Sequence, residues 1–290
     1  MNVLVAGATG FTGSRVVPLL LEREHSVRCF VRKDSSLKRL PIEKVGLAYG
    51  SFEEIDSFAK ALGGIDLFIN VASLGFGHGP EIVTAVENSG VSRAIFTGTT
   101  AVFTKLNASS KVVRLAAEEA IHASSLDYTI LRPTMIYGAN DDRNMCRLVN
   151  YLLKWPMIPV FGSGKFLLQP VFVGDLAEAI VEVAFAKRCI RKEYNISGEK
   201  PLSYNEVIDT LNNLLGRTVT KVHISAWLVI AILRIMEVIG IRLPLKAEQV
   251  QRLNEHKAFC HSEATHDFGY SPMDFKSGMA MELRSMGYLK

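Results

Sequence analysis

The chain has 290 residues, 48% of them hydrophobic and 21% charged, so it can bury a large core and general disorder is excluded. The net charge is +4, and the charged residues are spread along the chain without a basic tract, which argues against nucleic-acid binding. Four cysteines, Cys29, Cys146, Cys189 and Cys260, lie far apart in the sequence. This spacing argues against a metal site or a disulfide framework and favours a reducing, cytoplasmic location.

The first half of the chain alternates short apolar strands with amphipathic helices, which predicts a parallel sheet covered on both faces. Strands are predicted near 2–6, 26–31, 44–48, 66–71, 93–98 and 128–132, and helices near 11–23, 52–62, 79–89, 109–124 and 143–154. Farther along, we expect a helix over 175–186 that Asp175 caps, and a strand at 193–197. From residue 199 the pattern is mostly helical.

Three glycines separate the first predicted strand from the first predicted helix. In "VLVAGATGFTGSRVV" they are Gly7, Gly10 and Gly13. Glycine suits a turn that binds a pyrophosphate, because the chain bends sharply, the phosphates approach bare amides, and the helix packs close to the sheet. The positive end of the helix dipole then faces the phosphates. The motif predicts a dinucleotide site that includes Thr9 and Phe11, and a tight turn without a ligand is the alternative.

These patterns together predict an α/β fold of the Rossmann type, with a doubly wound parallel sheet. The dinucleotide-binding domain is expected over 1–136, and the chain is expected to return to it at about 169–198. Residues 137–168 and 199–290 are expected to form a smaller, mainly helical substrate-binding lobe.

The end of the second predicted strand indicates which dinucleotide binds. A carboxylate at this place would select NAD, but "VRCFVRKDSS" has Arg32 and Lys33 there. A cation suits the additional phosphate of NADP. We therefore expect NADP(H), with NAD(H) as the alternative if Arg32 is a solvated charge and Asp34 binds the ribose.

The spacing Gly7-x-x-Gly10-x-x-Gly13 resembles that of the extended short-chain dehydrogenase/reductase superfamily, which includes NAD-dependent epimerases and dehydratases of nucleotide sugars. "YTILRPTMIYG" and "QPVFVGDLAEAI" resemble the segments that bring the chain into and out of the substrate lobe of that family. The tail "LPLKAEQVQRLNEHKAF" resembles an atypical branch that includes the NADPH-carrying accessory subunit of respiratory complex I and quinone-pathway proteins.

Two further stretches imply site residues by the same resemblance. "GIDLFINVAS" resembles the fourth strand of the family, which implies that Asn70 and Ala72 lie near the cofactor. "AIFTGTTAVF" resembles the fifth strand, with Thr99 where the family usually keeps a catalytic serine or threonine.

The resemblance also implies a tyrosine four residues before a lysine, with both side chains on one helix face. In the family this tyrosine exchanges a proton with the substrate, and the lysine holds the nicotinamide ribose. Here Lys111 is present, but "NASSK" has Asn107 in the place of the tyrosine. Because asparagine cannot ionise, Asn107 cannot be a general acid or base. Two roles remain open for it, a helix cap and a substrate-orienting amide.

His78 is the candidate replacement for the missing tyrosine. It lies in "SLGFGHGP" after the fourth predicted strand, at the carboxyl end of the sheet, where ligands bind in such folds. Histidine titrates near neutral pH and can therefore donate a proton, although an ordinary loop histidine is the alternative. Arg143 is a candidate contact for a substrate phosphate. Tyr128 and Tyr137 are expected to be structural.

The most apolar segment is "ISAWLVIAILRIMEVIGI", residues 224–241. Only the ten residues from Ile224 to Leu233 precede Arg234, which is too short a stretch to span a membrane. We expect a buried helix in which Arg234 and Glu237 share one polar edge, rather than a helix on a membrane surface. Membrane contact is accordingly not expected.

Three functions remain open on these observations. The first is an NADP(H)-linked oxidoreductase or epimerase-like enzyme with an altered acid–base apparatus, acting on a small-molecule substrate such as a nucleotide sugar. The second is a non-catalytic NADP(H)-binding protein that senses redox state or supports an assembly. The third is a membrane-surface protein of quinone metabolism. The sequence names neither the substrate nor the oligomeric state.

Overall fold

The computed structural model describes residues 1–106, 109–142, 144–241 and 245–289. The chain divides into two units. The first unit comprises Met1–Thr134, Val173–Ile196 and Cys260–Pro272. The second unit comprises Met135–Phe172, Ser197–Phe259 and Met273–Lys290.

The strands and helices alternate over the first half of the chain. The strands are β1 (Asn2–Ala6), β2 (Ser26–Val31), β3 (Gly46–Tyr49), β4 (Leu67–Asn70), β5 (Arg93–Thr97), β6 (Asp127–Pro133), β7 (Ile136–Tyr137), β8 (Met157–Phe161), β9 (Leu167–Leu168), β10 (Val171–Phe172), β11 (Lys192–Ile196), β12 (Leu202–Ser203) and β13 (Thr220–Ile224). The helices are α1 (Gly13–Glu22), α2 (Ile55–Ala61), α3 (Gly79–Asn88), α4 (Ser109–Ala123), α5 (Met145–Lys154), α6 (Val173–Phe185), α7 (Tyr204–Leu215), α8 (Ala226–Val238), α9 (Ala247–Leu253), α10 (Ser262–Phe268) and α11 (Phe275–Ser285).

The first unit is built on a seven-stranded sheet in the order β11-β6-β5-β4-β1-β2-β3, in which every neighbouring pair is parallel. Strand order reverses between β1 and β4, and ligands bind at such a switch point in open α/β sheets. Strand β4 is buried along its whole length, as expected for a sheet covered on both faces. The predicted α/β fold with a Rossmann-type doubly wound sheet is confirmed.

Helix α6 begins earlier than its predicted start. It starts at Val173, so Asp175 lies in its first turn and is not the capping residue that the sequence predicted. A carboxylate in the first turn still interacts favourably with the helix dipole. The reason for the shift is that the helix enters directly from strand β10, which ends at Phe172.

Residues 260–272 belong to the first unit, whereas the predicted division places them in the second lobe. The buried carboxylate of Asp267, on α10, accepts hydrogen bonds from Tyr194 Oη at 2.7 Å and from Lys192 Nζ at 2.6 Å, both on β11. These hydrogen bonds hold the pKa of Asp267 below its ordinary value. A buried charged contact thus fastens this segment to the edge of the sheet, and no sequence pattern predicted it.

The second unit has a core shared by α5, α7, α11 and short strands. Its described residues form three two-stranded sheets, β7 with β10, β8 with β13, and β9 with β12. Tyr137 is fully buried at ring-centroid distances of 5.8 Å from Phe172 and 5.3 Å from Phe275. Tyr128, in the first unit, is buried in that unit's core. Both tyrosines are therefore packed as the sequence predicted.

Helix α8 contradicts the prediction of a buried helix. Only one side of it packs, with Ala226, Val229, Ile230 and Leu233 in a cluster with Ala247 and Val250 of α9. Other apolar side chains of α8 are exposed. The segment is apolar around most of its circumference, so its pattern could not select a buried face. Among the described residues, we find no helix with the length and apolar character needed to cross a bilayer.

Candidate functional site

The glycine turn joins β1 to α1, and its own packing accounts for two of the three glycines. Gly7 has φ +80°, and a Cβ added to it would lie 2.7 Å from the backbone nitrogen of Ala72. A Cβ added to Gly13 would lie 2.2 Å from the carbonyl oxygen of Gly7. Such distances are too short for non-bonded atoms, so the fold itself requires glycine at positions 7 and 13.

Gly10 differs from the other two glycines. It is exposed, and among the described residues beyond its chain neighbours a Cβ added to it would meet, within 4 Å, the carbonyl oxygen of Gly7 alone, at 3.1 Å. Its backbone nitrogen donates to that same oxygen at 3.0 Å. This one contact is tight, but it is much less severe than those at Gly7 and Gly13, so packing demands less of position 10. Glycine at this place leaves room for the close approach of a ligand.

The N-terminus of α1 has the properties of an anion-binding site. Thr12 precedes the helix without capping it through its side chain, and the first turn contains no acidic residue. Arg15 places its guanidinium 4.6 Å from the Phe11 ring centroid and donates to the Phe11 carbonyl oxygen at 2.5 Å. A cation in the first turn of a helix is unfavourable, because it faces the positive end of the helix dipole. Its presence there suggests that it serves a bound anion, and this signal could have identified Arg15 from the sequence. These groups suit the phosphates of a dinucleotide.

The end of β4 lies beside this turn. Asn70 is fully buried, and its side chain closes a local turn with Ala72, whose backbone nitrogen donates to Asn70 Oδ1 at 3.2 Å. Asn70 Nδ2 donates in return to the Ala72 carbonyl oxygen at 3.3 Å. Since the backbone of Ala72 is also the closest neighbour of a Cβ at Gly7, these residues shape the switch point of the sheet together.

Both residues that could recognise the adenosine ribose or its phosphate follow the end of β2 and are exposed. The side chains of Arg32 and Asp34 are 72% and 80% exposed, and Arg32 Nε lies 3.7 Å from Asp34 Oδ1. An ion pair this exposed contributes little to stability, so the fold does not depend on either charge. The structure therefore leaves Arg32 available to a phosphate and Asp34 available to a hydroxyl.

Thr99 and Lys111 are connected through a short turn after β5. Thr99 is half-buried, and its Oγ1 accepts from the backbone nitrogen of Ala101 at 3.2 Å as the turn Thr100–Phe103 begins. Lys111 Nζ, on α4, donates to the carbonyl oxygen of Thr104 at 2.7 Å, just after that turn. Lys111 thus holds the segment that begins at Thr99. Asn107 lies outside the described residues, as does Arg143.

His78 is half-buried and precedes α3, where its carbonyl oxygen accepts from the backbone nitrogen of Ile82 at 3.0 Å. In the same loop, a Cβ added to Gly75 would lie 3.1 Å from Arg114 Nε. Arg114 is three residues after Lys111 on α4, so one helix contacts both the His78 loop and the Thr99 segment. Arg114 was not predicted as a site residue from the sequence, although its spacing of three residues from Lys111 places it on the same part of the helix.

A buried ionic network fixes α4 to the sheet. Arg132 on β6 donates to Glu118 on α4 through Nε at 2.9 Å and Nη2 at 2.8 Å, and Arg132 Nη2 lies 2.6 Å from Glu193 Oε2 on β11. Burial by itself lowers the pKa of Arg132, but the hydrogen bonds and charges of Glu118 and Glu193 outweigh burial and raise it. The guanidinium also lies 5.4 Å from the Phe103 ring. Glu118 is seven residues after Lys111, so this network orients the helix face that carries Lys111.

Comparison with known proteins gives a family match and several relatives. A family model described as NAD(P)H-binding matches residues 7–151, which is half of the chain. The chain is 25% identical to a 3-beta-hydroxysteroid dehydrogenase of Mycolicibacterium neoaurum, over 97% of this chain and 89% of that protein. It is 24% identical to a 2-alkyl-3-oxoalkanoate reductase of Stenotrophomonas maltophilia, over 94% of this chain and 95% of that protein.

Solved structures extend the likeness to the fold of the whole chain. A UDP-glucuronic acid 4-epimerase from Bacillus cereus, in complex with UDP-glucuronic acid and NAD, matches with a TM-score of 0.77 and 18% identity over 99% of both chains. A UDP-glucose 4-epimerase from Thermotoga maritima, with UDP-glucose, matches with a TM-score of 0.78 and 15% identity, also over 99% of both chains.

Proposed function

Since the chain belongs to the NAD(P)H-binding family, we propose that it is an NADP(H)-linked oxidoreductase or nucleotide-sugar epimerase-like enzyme with an altered acid–base apparatus. When bound, the nicotinamide supplies or accepts a hydride at a carbonyl or carbinol carbon. The observation that carries the proposal is the exposed Gly10, in a turn whose other glycines are required by packing. This arrangement favours a turn that a phosphate approaches at residue 10 over a turn that has only a structural role.

Each residue of the site has a proposed task. The backbone amides around Gly10 and Phe11, with the N-terminus of α1 and the cation of Arg15, hold the pyrophosphate. Lys111 holds the nicotinamide ribose from its position beside Thr104. Thr99 orients the substrate through its hydroxyl group. Positioning of this kind can supply a large part of a rate acceleration without any ionising residue.

Proton transfer is the altered step, because Asn107 cannot ionise. The proton must then come from His78, from water or from the substrate itself. His78 is supported by its half-buried position at the carboxyl edge of the sheet, in the loop that Arg114 contacts. We expect low or narrow activity. Replacing His78 with alanine would identify it as the donor if turnover collapses while NADPH binding is kept.

The cofactor preference can be reversed at Arg32. We predict that the wild type binds NADP(H) more tightly than NAD(H), because the exposed guanidinium is free to pair with the 2′-phosphate. Arg32→Asp should weaken NADPH binding by roughly tenfold to a hundredfold, the usual range for a charged hydrogen bond, and improve NADH relative to it. Calorimetric titration of both proteins with both dinucleotides measures this. An unchanged affinity for NADPH in the variant would remove Arg32 from the site.

Lys111 can be tested in the same way. Lys111→Ala is expected to weaken cofactor binding by about 1.5–3 kcal/mol, the range for a hydrogen bond to a charged group. Lys60→Ala, which removes an exposed lysine from α2, is the matched control and should leave binding unchanged. Should Lys111→Ala bind NADPH as tightly as the control does, the role of Lys111 would be confined to its contact with Thr104.

A non-catalytic NADP(H)-binding protein is the second candidate, and the absence of the tyrosine at position 107 favours it. Turnover separates the two functions. The relatives are named for steroid, 3-oxoalkanoate and nucleotide-sugar reactions, so NADPH oxidation should be followed with ketones and nucleotide sugars, and with quinones as a third class. Turnover that requires Lys111 supports the enzyme. The resemblance of the tail to the branch of the complex I accessory subunit stays a prediction.

A further inference from the structure

Helix α8 presents an outer face that no described residue covers. Six apolar side chains on this face are between 46% and 86% exposed: Trp227, Leu228, Ile232, Ile235, Val238 and Ile239. Their spacing places them on one side of the helix, opposite the side that packs on α9. Of the two charged residues of α8, Arg234 lies at the edge of this face and Glu237 lies outside it. Glu237 turns toward α9, where its Oε1 accepts from the backbone nitrogen of Ala247 at 3.2 Å.

The chain around α8 is positively charged. Residues 217–257 contain seven Lys or Arg and three Asp or Glu, an excess equal to the net charge of +4 of the whole chain. The excess positive charge is therefore concentrated in this segment. This corrects the first interpretation of the composition, in which the charge was spread along the chain. Arg217, Arg234 and Lys246 are exposed, whereas Lys221 is paired with Asp209. Arg234 lies at the edge of the outer face, where a long stem can follow an apolar surface and keep its charge in water.

We propose that the outer face of α8 docks on the surface of a lipid bilayer that contains anionic headgroups. A face of aliphatic side chains with one tryptophan offers few hydrogen bonds to a protein partner, whose interface would normally form them. Lipid acyl chains form no hydrogen bonds, so an apolar face of this kind suits them. Arg234 at the edge of the face and the excess of Lys and Arg over residues 217–257 match anionic headgroups, and tryptophan is enriched at the boundary between lipid and water.

The dimensions of α8 agree with a helix that lies in the interface. A helix of 13 residues is roughly 20 Å long, which is shorter than the hydrocarbon core of a bilayer. The opposite side of α8 is packed on α9, so only one side is available for lipid. This geometry is that of an interfacial helix, whose apolar face enters the headgroup boundary. The proposal differs from the sequence-based expectation that membrane contact is absent.

The test is co-sedimentation of the full chain with vesicles at physiological salt, using phosphatidylcholine alone and phosphatidylcholine mixed with phosphatidylglycerol. The double variant Ile235→Asp, Val238→Asp puts two carboxylates on exposed positions, so folding should be unaffected. Val112→Asp, at an exposed valine of α4, is the matched control. In Trp155→Phe, Trp227 is the one remaining tryptophan and reports burial in lipid by its fluorescence.

The wild type and Val112→Asp should sediment with the anionic vesicles, and the double variant should bind at least about tenfold more weakly. Trp227 emission should shift to shorter wavelength and be quenched by brominated acyl chains. No sedimentation of the wild type, or equal sedimentation of the double variant, would overturn the proposal. So would analytical ultracentrifugation showing a wild-type dimer that the double variant dissociates, because a second copy would then cover the face.

Discussion

Gly10→Val should abolish dinucleotide binding while leaving the protein folded. The branched side chain would occupy the path of the pyrophosphate. The position is exposed, and the one described neighbour near an added Cβ is the Gly7 carbonyl oxygen at 3.1 Å, which a small shift of the turn can relieve. We expect the dissociation constant for NADPH to rise by at least about a hundredfold, which is about 2.8 kcal/mol. Calorimetric titration measures the binding, and thermal unfolding should show a transition close to that of the wild type.

Gly13→Ala is the informative counterpart. A Cβ at this position would lie 2.2 Å from the Gly7 carbonyl oxygen and 2.8 Å from Ala8 Cα, so the turn cannot keep its shape. We expect this smaller substitution to lower the unfolding midpoint clearly, whereas Gly10→Val does not. If Gly10→Val binds NADPH with wild-type affinity, the turn is only structural and the assigned site is wrong.

Arg132→Met should lower the free energy of unfolding by about 3–5 kcal/mol, the usual cost of leaving a buried charge without its partner. The substitution leaves the Glu118 carboxylate, at 4% exposure, without its two hydrogen bonds, and also removes the charge beside Glu193. Methionine keeps much of the side-chain volume, so the loss reflects charge more than a cavity. Urea unfolding at neutral pH provides the measurement.

Arg23→Met is the matched control for Arg132. Arg23 pairs with Glu182, and both side chains are more than a third exposed, so its loss should change stability by roughly 1 kcal/mol or less. Adding Glu118→Gln to Arg132→Met should restore part of the stability, since the unpaired charge is then removed. Equal effects of Arg132→Met and Arg23→Met would show that the buried network does not hold α4 in place.

The glycine turn and the sheet could be predicted because their signals are local. Gly7, Gly10 and Gly13 stand between a five-residue apolar strand and a helix, and the structure confirms both elements. Strand β2 was predicted over 26–31, which is where the structure has it. Apolar runs separated by turns are visible without knowledge of distant contacts. The sequence could not separate the structural glycines from Gly10, because that distinction depends on Ala72 and on the carbonyl of Gly7.

The remaining features depend on contacts between distant parts of the chain. The return of residues 260–272 to the sheet rests on Asp267 meeting Tyr194, and neither residue has a recognisable pattern. Strands such as β9 and β12, each of two residues, are too short for any periodicity. Helix α8 is apolar on nearly all sides, and for this reason it was predicted to be buried. Whether an apolar helix is buried depends on which other elements pack against it, and its own sequence does not contain that information.

The central claim is that a dinucleotide binds with its pyrophosphate at Gly10 and its nicotinamide ribose at Lys111. A crystal structure of the NADP⁺ complex tests this directly, through the distances from the phosphate oxygens to the backbone amides around Phe11 and from the ribose hydroxyls to Lys111 Nζ. We predict hydrogen-bond distances at both places, with Thr99 facing the nicotinamide. Phosphates bound away from the N-terminus of α1, or a ribose beyond the reach of Lys111, would contradict the account.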